Sequence, residues 1–82
     1  MHYTVYILYS ASVNKYYVGF TGCLIEDRVR RHNSNHKGFT GRIGDWQLMY
    51  TEVYFEKVQA QGREKEIKAK KSRLYIETLI AQ

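Results

Sequence analysis

Eighty-two residues, 44% of them hydrophobic and without a low-complexity tract, specify one folded domain over 1–82; a chain this short buries only about 60–65% of its unfolded surface, so any site must be built on the core itself. A formal charge of +5 and a pI near 9.4 favour a polyanionic partner, DNA above all. The lone Cys23 excludes an internal disulfide and a thiolate zinc cluster and suits a reducing cytoplasm, and neither an export signal nor a membrane span is read.

Residues 3–9 are β-branched and aromatic without helix punctuation and predict a buried strand. Turn residues over 10–14 and a second strand over 15–20 complete an antiparallel hairpin, in which Gly19 marks a close backbone approach. Thr21 is the expected N-cap of a helix over 23–32, with Glu26 and Asp27 in its early turns and Arg30 and Arg31 near its end, as the helix dipole favours. Asn33, Ser34 and Asn35 stop it. Residues 36–45 carry Gly38, Gly41 and Gly44 among Lys37 and Arg42 and read as a basic loop suited to a phosphate backbone. A third strand over 46–55 pairs with the hairpin, a helix follows over 58–71, and Ser72 caps a final helix over 73–81. The order β-β-α-β-α-α is that of an α+β layer, a three-stranded antiparallel sheet flanked by helices.

Three groups of side chains depart from simple core patterning. Drawn at about 100° per residue, the first helix has Ile25 and Val29 on its apolar face, with Arg28 and His32 bordering it. The bland account is a snorkelling arginine and a helix-ending histidine; the sharper one is a phosphate-facing pair. On the second long helix Glu64 shares a stripe with Ala60, Ile67 and Lys71, where a carboxylate needs either an i,i+4 lysine such as Lys68 or a divalent metal. Alternation places Thr4, Tyr6 and Leu8 on one face of the first strand and Lys15, Tyr17 and Gly19 on one face of the second, so Tyr6 and Tyr17 flank one spot, as packing partners or as a site.

Thr4-Val5-Tyr6-Ile7, then Tyr17-Val18-Gly19, then Glu26-Asp27-Arg28-Val29-Arg30-Arg31-His32-Asn33 and finally Arg63-Glu64 resemble, in order and spacing, the motifs of the GIY-YIG nuclease superfamily. The match covers nearly the whole chain and is closest to the small stand-alone bacterial members. Thr4 stands in place of the first glycine of the family name, and Val5 and Val18 in place of its isoleucines; Gly62 interrupts the helix just before the glutamate. The resemblance implies a metal-dependent DNA endonuclease that hydrolyses a phosphodiester bond in DNA repair or processing. Its implied catalytic set is Tyr6, Tyr17, Arg28, His32 and Glu64, with Mg²⁺ or Mn²⁺ on Glu64. Phosphate contacts are expected from Lys37, Arg42, Arg31, Lys68 and Lys71.

In that scheme Arg28 holds the scissile phosphate, and one of Tyr6 or Tyr17 positions or deprotonates the attacking water. Deprotonation requires a phenol pKa well below its usual value of about 10. His32 is a candidate relay for the proton. Two rival classes are a nucleic-acid-binding module that has lost catalysis, and a protein-interaction module of a repair complex. The second predicts an exposed apolar patch around Tyr75, Ile76 and Leu79.

Overall fold

In the computed structural model, which describes residues 2–34 and 42–82, the apolar run Tyr3–Ser10 forms β1, the middle strand of a three-stranded antiparallel sheet. β2 (Lys15–Thr21) lies on one side and β3 (Trp46–Tyr54) on the other. A middle strand covered on both faces needs apolar residues at successive positions, and Val5, Tyr6, Ile7 and Leu8 are all 2% exposed or less.

The helices α1 (Ile25–His32), α2 (Lys57–Ala69) and α3 (Arg73–Ile80) divide between the two faces. Ala60, Ile67 and Leu79 of α2 and α3 pack with Val5, Ile7 and Val18. On the other face Ile25 and Val29 of α1 lie against Tyr6, Leu8 and Trp46. The α+β layer read from the sequence is thus the observed fold, with each strand and helix within three residues of its expected bounds.

One irregularity decides what reaches the α1 face. The β1–β3 register runs through Ile7–Tyr50 and then jumps to Leu8–Leu48, leaving Met49 as an extra residue on β3. Without that bulge Trp46 would share the face of Tyr50, Glu52 and Tyr54, which packs towards α2 and α3; with it, Trp46 pairs with Ser10 and turns to Tyr6 and Leu8. Asn33, just past α1, fixes the turned strand through its side-chain amide, which donates to the Trp46 carbonyl at 3.0 Å and accepts from the Trp46 N–H at 2.7 Å.

Two expectations are corrected. Thr21 is the last residue of β2 and not the N-cap of α1; that position falls to Leu24, and the Thr21 hydroxyl instead accepts from the Cys23 N–H at 3.0 Å. Tyr75, Ile76 and Leu79 do not form the exposed apolar patch expected of them: Leu79 is buried at 5% exposure, and Tyr75 and Ile76, partly buried, pack against the same core. Ser72 does cap α3, its hydroxyl accepting from the Tyr75 N–H at 3.1 Å. Most of the basic loop, including Lys37, lies outside the described residues; Arg42 is exposed. Among the described residues no helix is long and apolar enough to cross a membrane.

α2 ends two residues before its expected boundary because Lys71 adopts a left-handed backbone, φ 48°, at the position where helices favour glycine. This conformation costs an L-residue about 1–2 kcal/mol, against which glycine's extra chain entropy must be set. Lys71→Gly is therefore expected to raise stability by about 0.5–1 kcal/mol, visible as a higher urea midpoint at unchanged slope. A lower midpoint would contradict the assignment of strain to Lys71.

Candidate active site

β1 and β2 pair so that Tyr6 stands opposite Gly19, and Leu8 opposite Tyr17. A side chain at Gly19 would have no room: its Cβ would lie 2.6 Å from the Tyr6 hydroxyl oxygen and 2.8 Å from Cζ. The missing Cβ lets the Tyr6 ring lie across the β2 backbone and reach towards α1. There its hydroxyl is 2.8 Å from Nε2 of His32, which is itself 8% exposed. In the Nδ1–H tautomer of His32 the phenol donates this bond. The Tyr17 ring completes the cluster, its centroid 4.7 Å from that of His32, 6.4 Å from Tyr6 and 6.3 Å from Trp46.

The electrostatics of Tyr6 run against the expectation of a phenol acidified by a cation. Burial is the largest influence and pushes its pKa well above 10; Tyr17 and Glu64 push the same way, and Arg28 alone opposes them. Tyr6 therefore stays protonated at neutral pH, able to donate or pass on a proton but not to act as a standing phenolate. The same balance of charges shows that Arg28, from α1, and Glu64, from α2, both act on this one hydroxyl.

Arg28 is half-buried, its Nε donating a long 3.4 Å hydrogen bond to the Thr21 hydroxyl. Arg30 and Arg31 are exposed, and Arg30 is engaged by Asp27 at 3.0 Å. The three arginines nevertheless border one cleft along α1. Glu64 has a side chain 17% exposed and stands 3.6 Å from Lys68 Nζ, the i,i+4 pair anticipated for it. Lys68 in turn lies 5.8 Å over the Tyr17 ring. The structure thus brings Tyr6, Tyr17 and His32 into direct contact, with Arg28 and Glu64 close enough to act on the same phenol.

Among the described residues no three carboxylate, histidine or cysteine side chains converge as a metal cage. Glu64 is nonetheless suited to a hard cation, since it is a half-buried carboxylate whose one described partner is an ammonium group at 3.6 Å. An ion held by one carboxylate keeps several of its waters, as Mg²⁺ and Mn²⁺ do.

The residue beside Glu64 does the positioning. Arg63 grips Glu52 of β3 with two bonds, Nε to Oε1 at 2.9 Å and Nη2 to Oε2 at 3.0 Å. Its Nη1 also donates to Glu66 at 2.8 Å and to the Tyr75 hydroxyl at 3.1 Å. Tyr50 and Tyr54 donate to the two Glu52 oxygens, Tyr54 at 2.7 Å. This clamp fixes how α2 is rotated on the sheet, and hence where Glu64 points. Glu52 and the clamp were not anticipated, although Tyr50, Glu52 and Tyr54 share one face at strand spacing and marked an acid needing a cation.

The Arg63 hydrogen bonds hold the Glu52 pKa down at about 2, from an ordinary 4.5, while the bond from Tyr54 to Glu52 pushes that phenol up to about 12. A depressed carboxylate stabilises the fold above its unfolded pKa and loses that contribution as pH falls through its folded one. The clamp should thus be fully effective above pH 4.5 and fade towards pH 2. After allowance for solvent at its edge, its contribution is about 2 kcal/mol. Glu52→Gln should lose about that much at pH 7 and show a flatter acid limb, measured by urea unfolding from pH 2 to 7. An acid limb as steep as that of the native protein would refute the assignment.

The chain is similar in structure to the UPF0213 protein of Bacillus halodurans, solved by solution NMR, at 27% identity and a TM-score of 0.60, covering 99% of this chain and 84% of that one. No curated protein matches it. The family model described as the GIY-YIG catalytic domain matches residues 2–76, a span that includes both tyrosines, Arg28, His32 and Glu64. With the motif residues gathered at one point of a three-stranded sheet, and with the match running through nearly all of the sequence, the chain belongs to the GIY-YIG family of nuclease domains.

Proposed function

We propose that this protein is a metal-dependent DNA endonuclease that hydrolyses a phosphodiester bond, with Tyr6, Tyr17, Arg28, His32 and Glu64 as its catalytic residues. The observation that carries the reading is the buried Tyr6–His32 hydrogen bond at 2.8 Å, on which the charges of Arg28 and Glu64 both converge. A tyrosine placed only for packing needs no buried histidine, arginine and carboxylate about its hydroxyl.

Each residue has a task in hydrolysis. Arg28 binds the scissile phosphate and stabilises the charge that grows on its oxygens. Tyr17, half-buried beside Lys68, orients the attacking water. Tyr6, enclosed and protonated, conducts rather than stores a proton: it accepts one from the water as its own passes to His32 Nε2, so no free phenolate is required. Glu64 holds Mg²⁺ or Mn²⁺, which when bound supplies positive charge to the phosphate and the departing 3′ oxygen. The expected phosphate contacts Arg31, Lys68 and Lys71 are exposed, Arg31 on α1 and the lysines on and just beyond α2. DNA repair or processing in a reducing cytoplasm is the corresponding setting, with which the exposed thiol of Cys23 accords.

The test is cleavage of flapped, nicked, single-stranded and duplex DNA with and without Mn²⁺, alongside calorimetric titration of Mn²⁺. The native protein should cut only with the metal. Glu64→Gln should abolish both cutting and Mn²⁺ binding while leaving the circular dichroism spectrum intact. Unchanged Mn²⁺ affinity in Glu64→Gln would remove the metal from Glu64, and metal-dependent cutting absent on every substrate would leave a binding module.

A further inference from the structure

Among the ion pairs within the described helices, only in Glu64–Lys68 is the acid the enclosed member. The Glu64 side chain is 17% exposed and that of Lys68 49%, whereas Asp27, Glu66 and Glu77 are 45–56% exposed in their pairs. A carboxylate so enclosed needs a counter-charge, yet Lys68 supplies it loosely. Its Nζ is 3.6 Å from Oε2 of Glu64, while the other ion pairs among the described residues close to 2.8–3.2 Å. The same Nζ lies 5.8 Å from the centroid of the Tyr17 ring. One ammonium therefore stands against both the carboxylate assigned to the metal and the tyrosine assigned to the attacking water.

A divalent cation and this ammonium compete for one carboxylate, and each repels the other. Glu64 is not the group that moves, because Arg63 beside it grips Glu52 at 2.9 and 3.0 Å and fixes the rotation of α2. Lys68 is exposed, on a flexible four-carbon stem, and gives way. Turned outward it needs another anion, which a phosphate of bound DNA provides. We infer that Lys68 is an exchangeable counter-ion of Glu64: it pairs with the carboxylate until a divalent cation takes its place, and then passes to a substrate phosphate, so that metal and DNA are bound cooperatively. Such coupling is reciprocal, DNA raising the affinity for metal by the factor by which metal raises the affinity for DNA. The inference rests on the nuclease reading above, with Glu64 as the metal ligand, and adds to it how the metal is admitted.

Mn²⁺ is titrated calorimetrically into the full chain without DNA. Lys68→Gln, which removes the competitor, should bind Mn²⁺ about fivefold more tightly than the native protein. Lys68→Arg, able to hold the carboxylate by two bonds, should bind it more weakly. Lys65→Gln removes the same charge from the exposed side chain next to Glu64 and should stay within about twofold of native. The coupling is read by anisotropy of labelled DNA in EDTA and in saturating Mn²⁺, in an Arg28→Ala background in which cutting is slow. Mn²⁺ should tighten DNA binding several-fold more in Arg28→Ala than in Arg28→Ala with Lys68→Gln. Mn²⁺ affinity unchanged or reduced in Lys68→Gln, an equal gain in Lys65→Gln, or equal coupling in both backgrounds would overturn the inference. If Glu64→Gln still abolishes Mn²⁺ binding, such a result leaves the nuclease reading standing; Mn²⁺ affinity that survives Glu64→Gln would overturn the metal assignment and this inference together.

Discussion

The constraint on which the rest depends is that β1 is buried on both faces within an 82-residue chain. Two small cores share one strand, so there is no separate scaffold on which a site can be mounted. Tyr6, at 2% exposure, belongs to the core facing α1 and is also the centre of the candidate site. Gly19 makes this possible, because only a residue without Cβ lets the Tyr6 ring cross β2 and meet His32. Packing therefore fixes the geometry of the site, and changes that loosen one core should disturb the other through the shared strand.

Polar side chains at the edges of the cores are met by specific partners. Among the described residues, no buried side-chain nitrogen or oxygen lacks a hydrogen bond. Asp45 closes the β1–β2 turn, accepting from the Ser10 hydroxyl at 2.6 Å and the Ser12 N–H at 2.8 Å, and these bonds lower its pKa. Arg73 ties α3 to the same turn, donating to the Asn14 carbonyl at 2.9 Å and to its side-chain oxygen at 2.6 Å. With the Arg63–Glu52 clamp, these ties hold α2 and α3 on one face of the sheet and the hairpin at its end. Glu64 and Lys68 thereby reach the site from a helix whose apolar face contributes little more than Ala60 and Ile67.

Periodicity alone carried much of this. Strand alternation put Tyr6, Tyr17 and Gly19 on one face, and the helical wheel put Arg28 and His32 at the core border and Glu64 among the packing residues, as the structure shows. Local patterns failed where distant residues decide. Thr21 looks like a cap because threonine often is one, but the sheet claims it through pairing with Thr4. Tyr75, Ile76 and Leu79 look surface-like only when the sheet beneath them is ignored. Nothing local to Trp46 reveals that a bulge at Met49 turns it to the α1 face. The direction of the Tyr6 pKa depends on burial outweighing Arg28, a balance that composition does not disclose.

The central claim is that one arginine of the three on α1 acts in the chemistry. Arg28 reaches inward to Thr21, while Arg30 and Arg31 remain at the surface. The direct test is single-turnover DNA cleavage at saturating protein, where differences in affinity vanish. Removal of a transition-state contact costs on the order of 3–4 kcal/mol, so Arg28→Ala should slow cleavage by two to three decades. Arg30→Ala and Arg31→Ala should leave the rate within a few-fold of the native protein. Equal losses at all three positions would contradict the account, reducing Arg28 to one phosphate contact among several.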